Sequence, residues 1–233
     1  MIGKHWLFKQ NMIKTIIFDF DGVILESLDV KTEAFKKLYQ PYGPSISNKV
    51  VENHLENGGI SRYEKIKIYH KQFLGKDLDD EKVQKIAQIF SDIVLDKIIK
   101  VSFVDGAKYF IEKNYEKYLM FISSATPTDE LKFICRQRKI SKYFKGIFGS
   151  PDSKSKHISF IMDNWSLKNN EIVFIGDSST DLVAAEKHNL WFIGRVTSGL
   201  KNLINERYTL NDLNKLDKII SMINESSSHC VLK

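Results

Sequence analysis

The chain is 233 residues long, with 42% hydrophobic and 27% charged residues, a balance that excludes disordered and fibrous polymers and leaves room for one large core or a core with a smaller insertion. The net charge of +6 comes mostly from scattered lysines; the densest basic stretch is Arg136-Gln137-Arg138-Lys139, and no nucleic-acid reading module accompanies it. Two cysteines, Cys135 and Cys230, far apart in sequence, argue against a disulfide framework or a cysteine zinc site.

The first fourteen residues hold too interrupted an apolar stretch for a leader, and no later run approaches the roughly 18 apolar residues of a membrane span. A cytoplasmic protein with no membrane partner is expected. The first strand signal is Thr15-Ile16-Ile17-Phe18-Asp19-Phe20, closed by Asp21-Gly22. From Asp29 to about Lys100 apolar residues recur at spacings of three and four, which predicts helices without strands, broken at Pro41-Tyr42-Gly43-Pro44, Asn57-Gly58-Gly59 and Gly75-Lys76-Asp77. After Asp105-Gly106 helices alternate with short apolar runs: helix 106–117, strand 119–122, helix 128–138, strand 146–149, helix 154–164, strand 172–175, helix 180–188, strand 190–193. Alternation of this kind predicts an α/β core, a parallel sheet covered by helices on both faces. Residues 1–28 and 101–233 then form a Rossmann-like core, and 29–100 an all-helical insertion. The C-terminal Cys230-Val231-Leu232-Lys233 has the outline of a prenylation box but ends on the wrong residue, and is read as chance.

In an open parallel sheet, ligands bind beyond the carboxyl ends of the strands. Those ends carry Asp19, Asp21 and Gly22; Ser123-Ser124-Ala125-Thr126; Ser150-Pro151-Asp152-Ser153-Lys154; and Gly176-Asp177-Ser178-Ser179-Thr180-Asp181. A set of carboxylates with a lysine and hydroxyls is what phosphoryl chemistry asks for: hard oxygen ligands for magnesium, and donors for phosphoryl oxygens. Thr126-Pro127-Thr128-Asp129 reads as a helix start, with Thr126 its cap. Ser123 is the neighbouring alternative to Ser124, and Lys156 to Lys154. The histidines His54, His70, His157 and His188 show no close ligand spacing and read as solvated or structural. Cys135 reads as packed in a helix.

Asp19-Phe20-Asp21-Gly22-Val23, Ser124, Lys154 and Gly176-Asp177-Ser178-Ser179-Thr180-Asp181 resemble, in order, the four motifs of the haloacid dehalogenase (HAD) superfamily, in its phosphoglycolate phosphatase and β-phosphoglucomutase branch; the resemblance spans about residues 14–195. It implies a magnesium-dependent phosphatase acting on a small phosphorylated metabolite. Asp19 would be the nucleophile, and Asp21 the acid/base, with its main-chain carbonyl on the metal. Ser124 and Lys154 would hold the phosphoryl group, aided by backbone around Gly22 and Ala125. Asp19, Asp21, Asp177 and Asp181 would surround Mg2+. Residues 29–100 would be a helical cap closing over the site. In that cap, Gly58-Gly59-Ile60-Ser61-Arg62 stands out, with Arg62 either clasping an anionic substrate group or merely opening a surface helix; Glu26 and Ser27 would line the cavity. Rival readings are a β-phosphoglucomutase-like mutase, disfavoured because Lys31 stands where those enzymes carry a cap histidine, a phosphonate hydrolase using a cap lysine, and a non-catalytic binding protein. A monomer and a homodimer are equally compatible with the sequence.

Overall fold

Strand β1 (Thr15–Phe18) is buried at every position, as a central parallel strand covered on both faces must be. Its alternation splits the interior in two: Ile16 and Phe18 face the larger apolar core, Ile17 the smaller. Strands β2 (Leu119–Pro127), β3 (Gly146–Ser150), β4 (Ile172–Gly176), β5 (Trp191–Arg195) and β6 (Thr209–Leu210) join it in the order β3-β2-β1-β4-β5-β6. All pairings are parallel, with Ile17 level with Phe121 on one side and Phe174 on the other. The computed structural model describes residues 12–197 and 203–229. The leader and prenylation readings therefore fall on segments outside the described residues, as does Cys230.

Helices α1 (Leu28–Tyr39), α2 (Pro44–Glu56), α3 (Arg62–Leu74) and α4 (Asp80–Lys100) follow β1 with no strand between them. They pack around Phe35, Tyr39, Tyr69 and Phe90, with the Phe35 ring 4.3 Å from Phe90 and 5.5 Å from Tyr69. Each break falls at a turn signal: Ser61 caps α3, Gly75 ends it in the left-handed region, and Asp79 caps α4 by accepting from the Lys82 N–H. The chain leaves the sheet at Glu26 and re-enters at Ser102, and the two crossings are tied by a 3.0 Å bond from Glu26 N–H to the Ser102 carbonyl.

Helices α5 (Ala107–Asn114), α6 (Thr128–Gln137), α7 (Lys154–Trp165) and α8 (Ser179–Lys187) alternate with the strands as the pattern predicted. Two differences stand out. Strand β2 continues through Thr126 to Pro127 and α6 begins at Thr128, so Thr126 is not a helix cap. Beyond residue 195, β6 and α9 (Leu216–His229) were not anticipated; α9 seals the large core with Leu216, Ile220 and Ile223. Cys135 is fully buried in α6, and burial pushes its thiol up to about 12, so it packs rather than reacts. Among the described residues no helix is long and apolar enough to cross a membrane.

Candidate active site

The carboxyl ends of β1, β2 and β4 converge on a cavity of about 90 Å³, lined on the sheet side by Asp19, Asp21, Ser124, Ala125, Asp177 and Ser178; Ser124 and Ala125 also line an adjoining cavity of about 430 Å³ that reaches Lys154 at the start of α7. Asp19 follows β1 directly and is 4% exposed. One of its oxygens accepts from the Phe20 N–H at 2.7 Å, the other from Lys154 Nζ at 2.9 Å. Lys154 also pairs with Asp181, while Lys156 points outward to Asp152, so only Lys154 of the two reaches the carboxylates. Ser153 caps α7 and fixes where that lysine starts.

Ligand oxygens of Asp19, Asp177 and Asp181 lie within 4.8 Å of one another, all three residues buried. Burial first, then the Asp181 charge, push Asp19 up to about 7 against the pull of Lys154. Burial and the Asp19 charge likewise raise Asp177. Three buried carboxylates facing one ammonium are short of positive charge, and an all-oxygen donor set of this kind fits Mg2+. Asp181 is the most committed of the three: Oδ2 accepts from both Ser178 N–H (3.1 Å) and Ser178 Oγ (2.6 Å), and Oδ1 from Lys154.

Asp21 is held differently. Ser27 Oγ donates to one oxygen at 2.6 Å, and Thr126 Oγ1 at 2.9 Å and Lys31 Nζ donate to the other. Burial opposes its charge, but Lys31 and these hydrogen bonds outweigh it and hold the carboxyl below its ordinary value. Its side chain stands apart from the acidic trio.

Ser124 faces the cavity and its Oγ accepts from the Thr126 N–H at 3.1 Å; Ser123 turns the other way, to His157 Nδ1 at 2.9 Å. Gly22 sits at φ +74°, and a Cβ there would come within 2.0 Å of Asp177 Oδ2. Across the cavity Gly59 is at φ +77°, and its Cβ would meet Thr180 Oγ1 at 1.8 Å. The glycine pair thus serves close approach of the α2–α3 loop to the β4–α8 loop, helped by a 3.3 Å bond from Thr180 Oγ1 to the Gly58 carbonyl.

Two expected substrate contacts have other partners. Arg62 is 5% exposed and gives both terminal nitrogens to Glu130 of α6, at 2.5 and 2.8 Å, with its guanidinium over the Phe90 ring. It opens α3 as a buried residue, does not line the carboxylate cavity, and ties α3 to α6. Glu26 is taken up by Arg195, at 2.6 and 3.0 Å, and Arg195 also donates to the Gly22 carbonyl at 2.7 Å. Arg195 thus braces the turn that carries Asp21, a role signalled only by its position at the end of β5.

The polar residues of the helical side of the cavity include Lys31, Thr32, His54, Glu56 and Lys65. Of these the sequence singled out Lys31 alone. His54 is a cavity residue rather than a purely structural one, and burial, then Lys65 and Lys31, keep it neutral.

Residues 16–195 match the family model of haloacid dehalogenase-like hydrolases. The chain belongs to this family. It is therefore an enzyme of the hydrolase class, with the parallel sheet and flanking helices of HAD proteins. It is 26% identical over 188 residues to a phosphoglycolate phosphatase of Vibrio parahaemolyticus, covering 76% of this chain and 81% of that one. Among solved structures it resembles a predicted phosphoglycolate phosphatase from Haemophilus somnus (TM-score 0.71, 17% identity, 89% of this chain and 97% of that one). A β-phosphoglucomutase from Clostridium difficile has the same fold (TM-score 0.75, 21% identity, 92% and 99%).

Proposed function

We propose that this HAD hydrolase is a phosphatase of small phosphomonoesters, of the phosphoglycolate phosphatase type. The observation that carries the reading is a buried nucleophilic carboxylate, Asp19, bonded to Lys154 at 2.9 Å, with a separately held second carboxylate, Asp21, on the same cavity. Asp19 attacks phosphorus and the P–O bond to the alcohol breaks, leaving an aspartyl-phosphate. Asp21 supplies the proton to the departing alcohol and then takes one from the water that cleaves the acyl phosphate, restoring Asp19 and releasing phosphate. Held charged in this structure, Asp21 takes up from solvent the proton it gives in the first step, and is left in the form that accepts the proton of the water in the second. Lys154, Ser124 and backbone N–H groups near Gly22 and Ala125 hold the phosphoryl oxygens in place.

Asp19, Asp177 and the main-chain carbonyl of Asp21 would hold Mg2+, with Asp181 beside them fixing Lys154. When bound, the ion offsets the repulsion between carboxylate and phosphoryl group. The helices of residues 29–100 act as the cap that excludes water, and Arg62–Glu130 fastens it to the core.

The test is magnesium-dependent phosphate release from a panel of small phosphomonoesters by wild type and Asp19→Asn. Release by wild type alone is expected. Interconversion of a sugar phosphate without phosphate release would transfer the assignment to a mutase.

A further inference from the structure

Arg195 ends β5 and is 5% exposed. Its guanidinium is used on three sides: Nε donates to the Asn211 carbonyl at 3.0 Å, one terminal nitrogen to the Gly22 carbonyl at 2.7 Å, and both terminal nitrogens to Glu26. The Glu26 side chain is 42% exposed, and an ion pair with so open a partner contributes little. The pair alone does not account for taking a guanidinium out of water; the two carbonyls are the contacts that offset its burial.

Peptide geometry decides what the Gly22 carbonyl controls. The Asp21 C=O and the Gly22 N–H belong to one planar trans peptide and point opposite ways. That N–H donates to the Leu25 carbonyl at 2.8 Å, which sets the direction of the Asp21 oxygen. The next peptide plane carries the Gly22 carbonyl, and Arg195 holds it. The two planes meet at a glycine with φ +74°, only one of several conformations open to glycine, and holding both planes is what confines it there. Gly22 also lies against Asp177, since a Cβ on it would fall 2.0 Å from Asp177 Oδ2. A released Gly22 therefore moves a main-chain oxygen and disturbs a carboxylate at once.

We propose that Arg195 is a positioning residue for the magnesium site. It is not itself a ligand; acting through the Gly22 carbonyl, it fixes the turn whose Asp21 main-chain oxygen joins Asp19 and Asp177. The inference rests on the proposed function, in which those three groups hold Mg2+. It also brings in the C-terminal segment: Asn211 follows β6, beyond the residues 16–195 matched by the family model, and β6 is paired to β5 through Gly194 and Arg195. The segment past the family match thereby reaches the metal site through one side chain.

The experiment titrates Mg2+ alone, without substrate, into the full chain and reads the dissociation constant from the rise of the thermal midpoint with ion concentration. Arg195→Met should weaken Mg2+ by about 10- to 100-fold, the usual effect of removing a partner that orients a ligand. In Arg195→Lys the compact ammonium follows the Glu26 carboxylate and leaves the carbonyl, so the ion-free midpoint should lie above that of Arg195→Met while Mg2+ is still weakened by about 5-fold or more. Arg138 donates to the Ile99 and Val101 carbonyls, both at 2.7 Å, where the chain returns to the sheet. Arg138→Met is therefore the control for losing an arginine that holds main-chain carbonyls: its midpoint should fall with Mg2+ affinity within about 3-fold of wild type. Affinity within about 3-fold of wild type in both Arg195 variants, or an equal loss in Arg138→Met, overturns the positioning role. If Arg195→Met does not fold, Arg195→Lys against Arg138→Met decides. A wild-type midpoint that does not move with Mg2+ is a different failure: it removes the ion from the proposed function, and this role with it.

Discussion

The two walls of the cavity are built on opposite plans. On the sheet side, acidic residues crowd at strand ends, where the backbone leaves them no choice of position: Asp19 follows β1 directly and Asp177 follows β4. On the helical side, basic residues reach inward from helix faces, Lys31 from α1 and Lys65 from α3. One wall is anionic and fixed; the other is mainly cationic, Lys31 and Lys65 against Glu56, and is carried on a layer joined to the core at two neighbouring crossings. On the proposed function, the chemistry belongs to the first wall.

The sharpest way to break this division is on the sheet side. Asp19→Asn removes the attacking oxygen and should lower phosphate release by on the order of 10⁴-fold or more, with the thermal midpoint maintained or raised because a buried charge is lost. Next comes the fastening between the walls. Arg62→Ala strands the Glu130 carboxylate in a buried place and should cost roughly 3–5 kcal/mol in denaturant unfolding; Arg62→Met with Glu130→Met should recover most of it. No recovery would mean that Arg62 matters for something other than this pair.

A smaller effect tests whether the cationic wall tunes the anionic one. With Lys31→Met, burial of Asp21 is no longer offset by its main charge partner, so its pKa rises. The acid limb of the rate profile, where Asp21 must be deprotonated to activate water, should then move to higher pH. An unmoved limb would separate Lys31 from acid/base control.

The smallest effects are in stability. Asp19 is raised to about 7 from an ordinary 3.8, so the metal-free folded state binds more protons than the unfolded state between those values. Its stability should fall as pH climbs through that window and level off above it. Added Mg2+ competes with those protons, and should therefore raise the thermal midpoint more at pH 8 than at pH 5.5, an increment lost in Asp177→Asn. Lys65 shows the converse: its folded pKa lies below the unfolded one, so its cost is fully present below about pH 7 and fades toward the ordinary lysine value. Lys65→Met should thus stabilise the protein more at pH 6 than at pH 10, as measured by thermal melts.

What could be read from sequence follows the same division. The sheet, its alternation with helices and the acidic cluster were legible because strand ends are local: an apolar run followed by Asp fixes both the element and the direction of the side chain. Ser124 and Lys154 were legible by position after a strand, and the fold separates them from Ser123 and Lys156 by which way each points. Thr126 was misread because Pro127 marks a helix start equally well from inside a long strand end. Lys65 and His54 were illegible because nothing distinguishes a buried lysine from an exposed one in a lysine-rich helix; only packing of α2 on α3 does so. The partners of Arg62 and Glu26 were illegible for a related reason: proximity to a site says nothing about whether a nearer carboxylate or guanidinium claims the side chain first. The tail after residue 195 was missed although Leu216, Ile220 and Ile223 share the spacing of a helix face.

Gly22 and Gly59 set a boundary on how this enzyme can be redesigned. Each would be strained by its positive φ if replaced, and a Cβ there would have to displace the side-chain oxygen of Asp177 or Thr180 that now lies no more than 2.0 Å away. Reshaping either wall at these points therefore carries backbone strain and a displaced side chain. Directed evolution toward larger substrates would have to work through Thr32, Leu55 and Ile60, positions on the cavity that do not carry this double restriction.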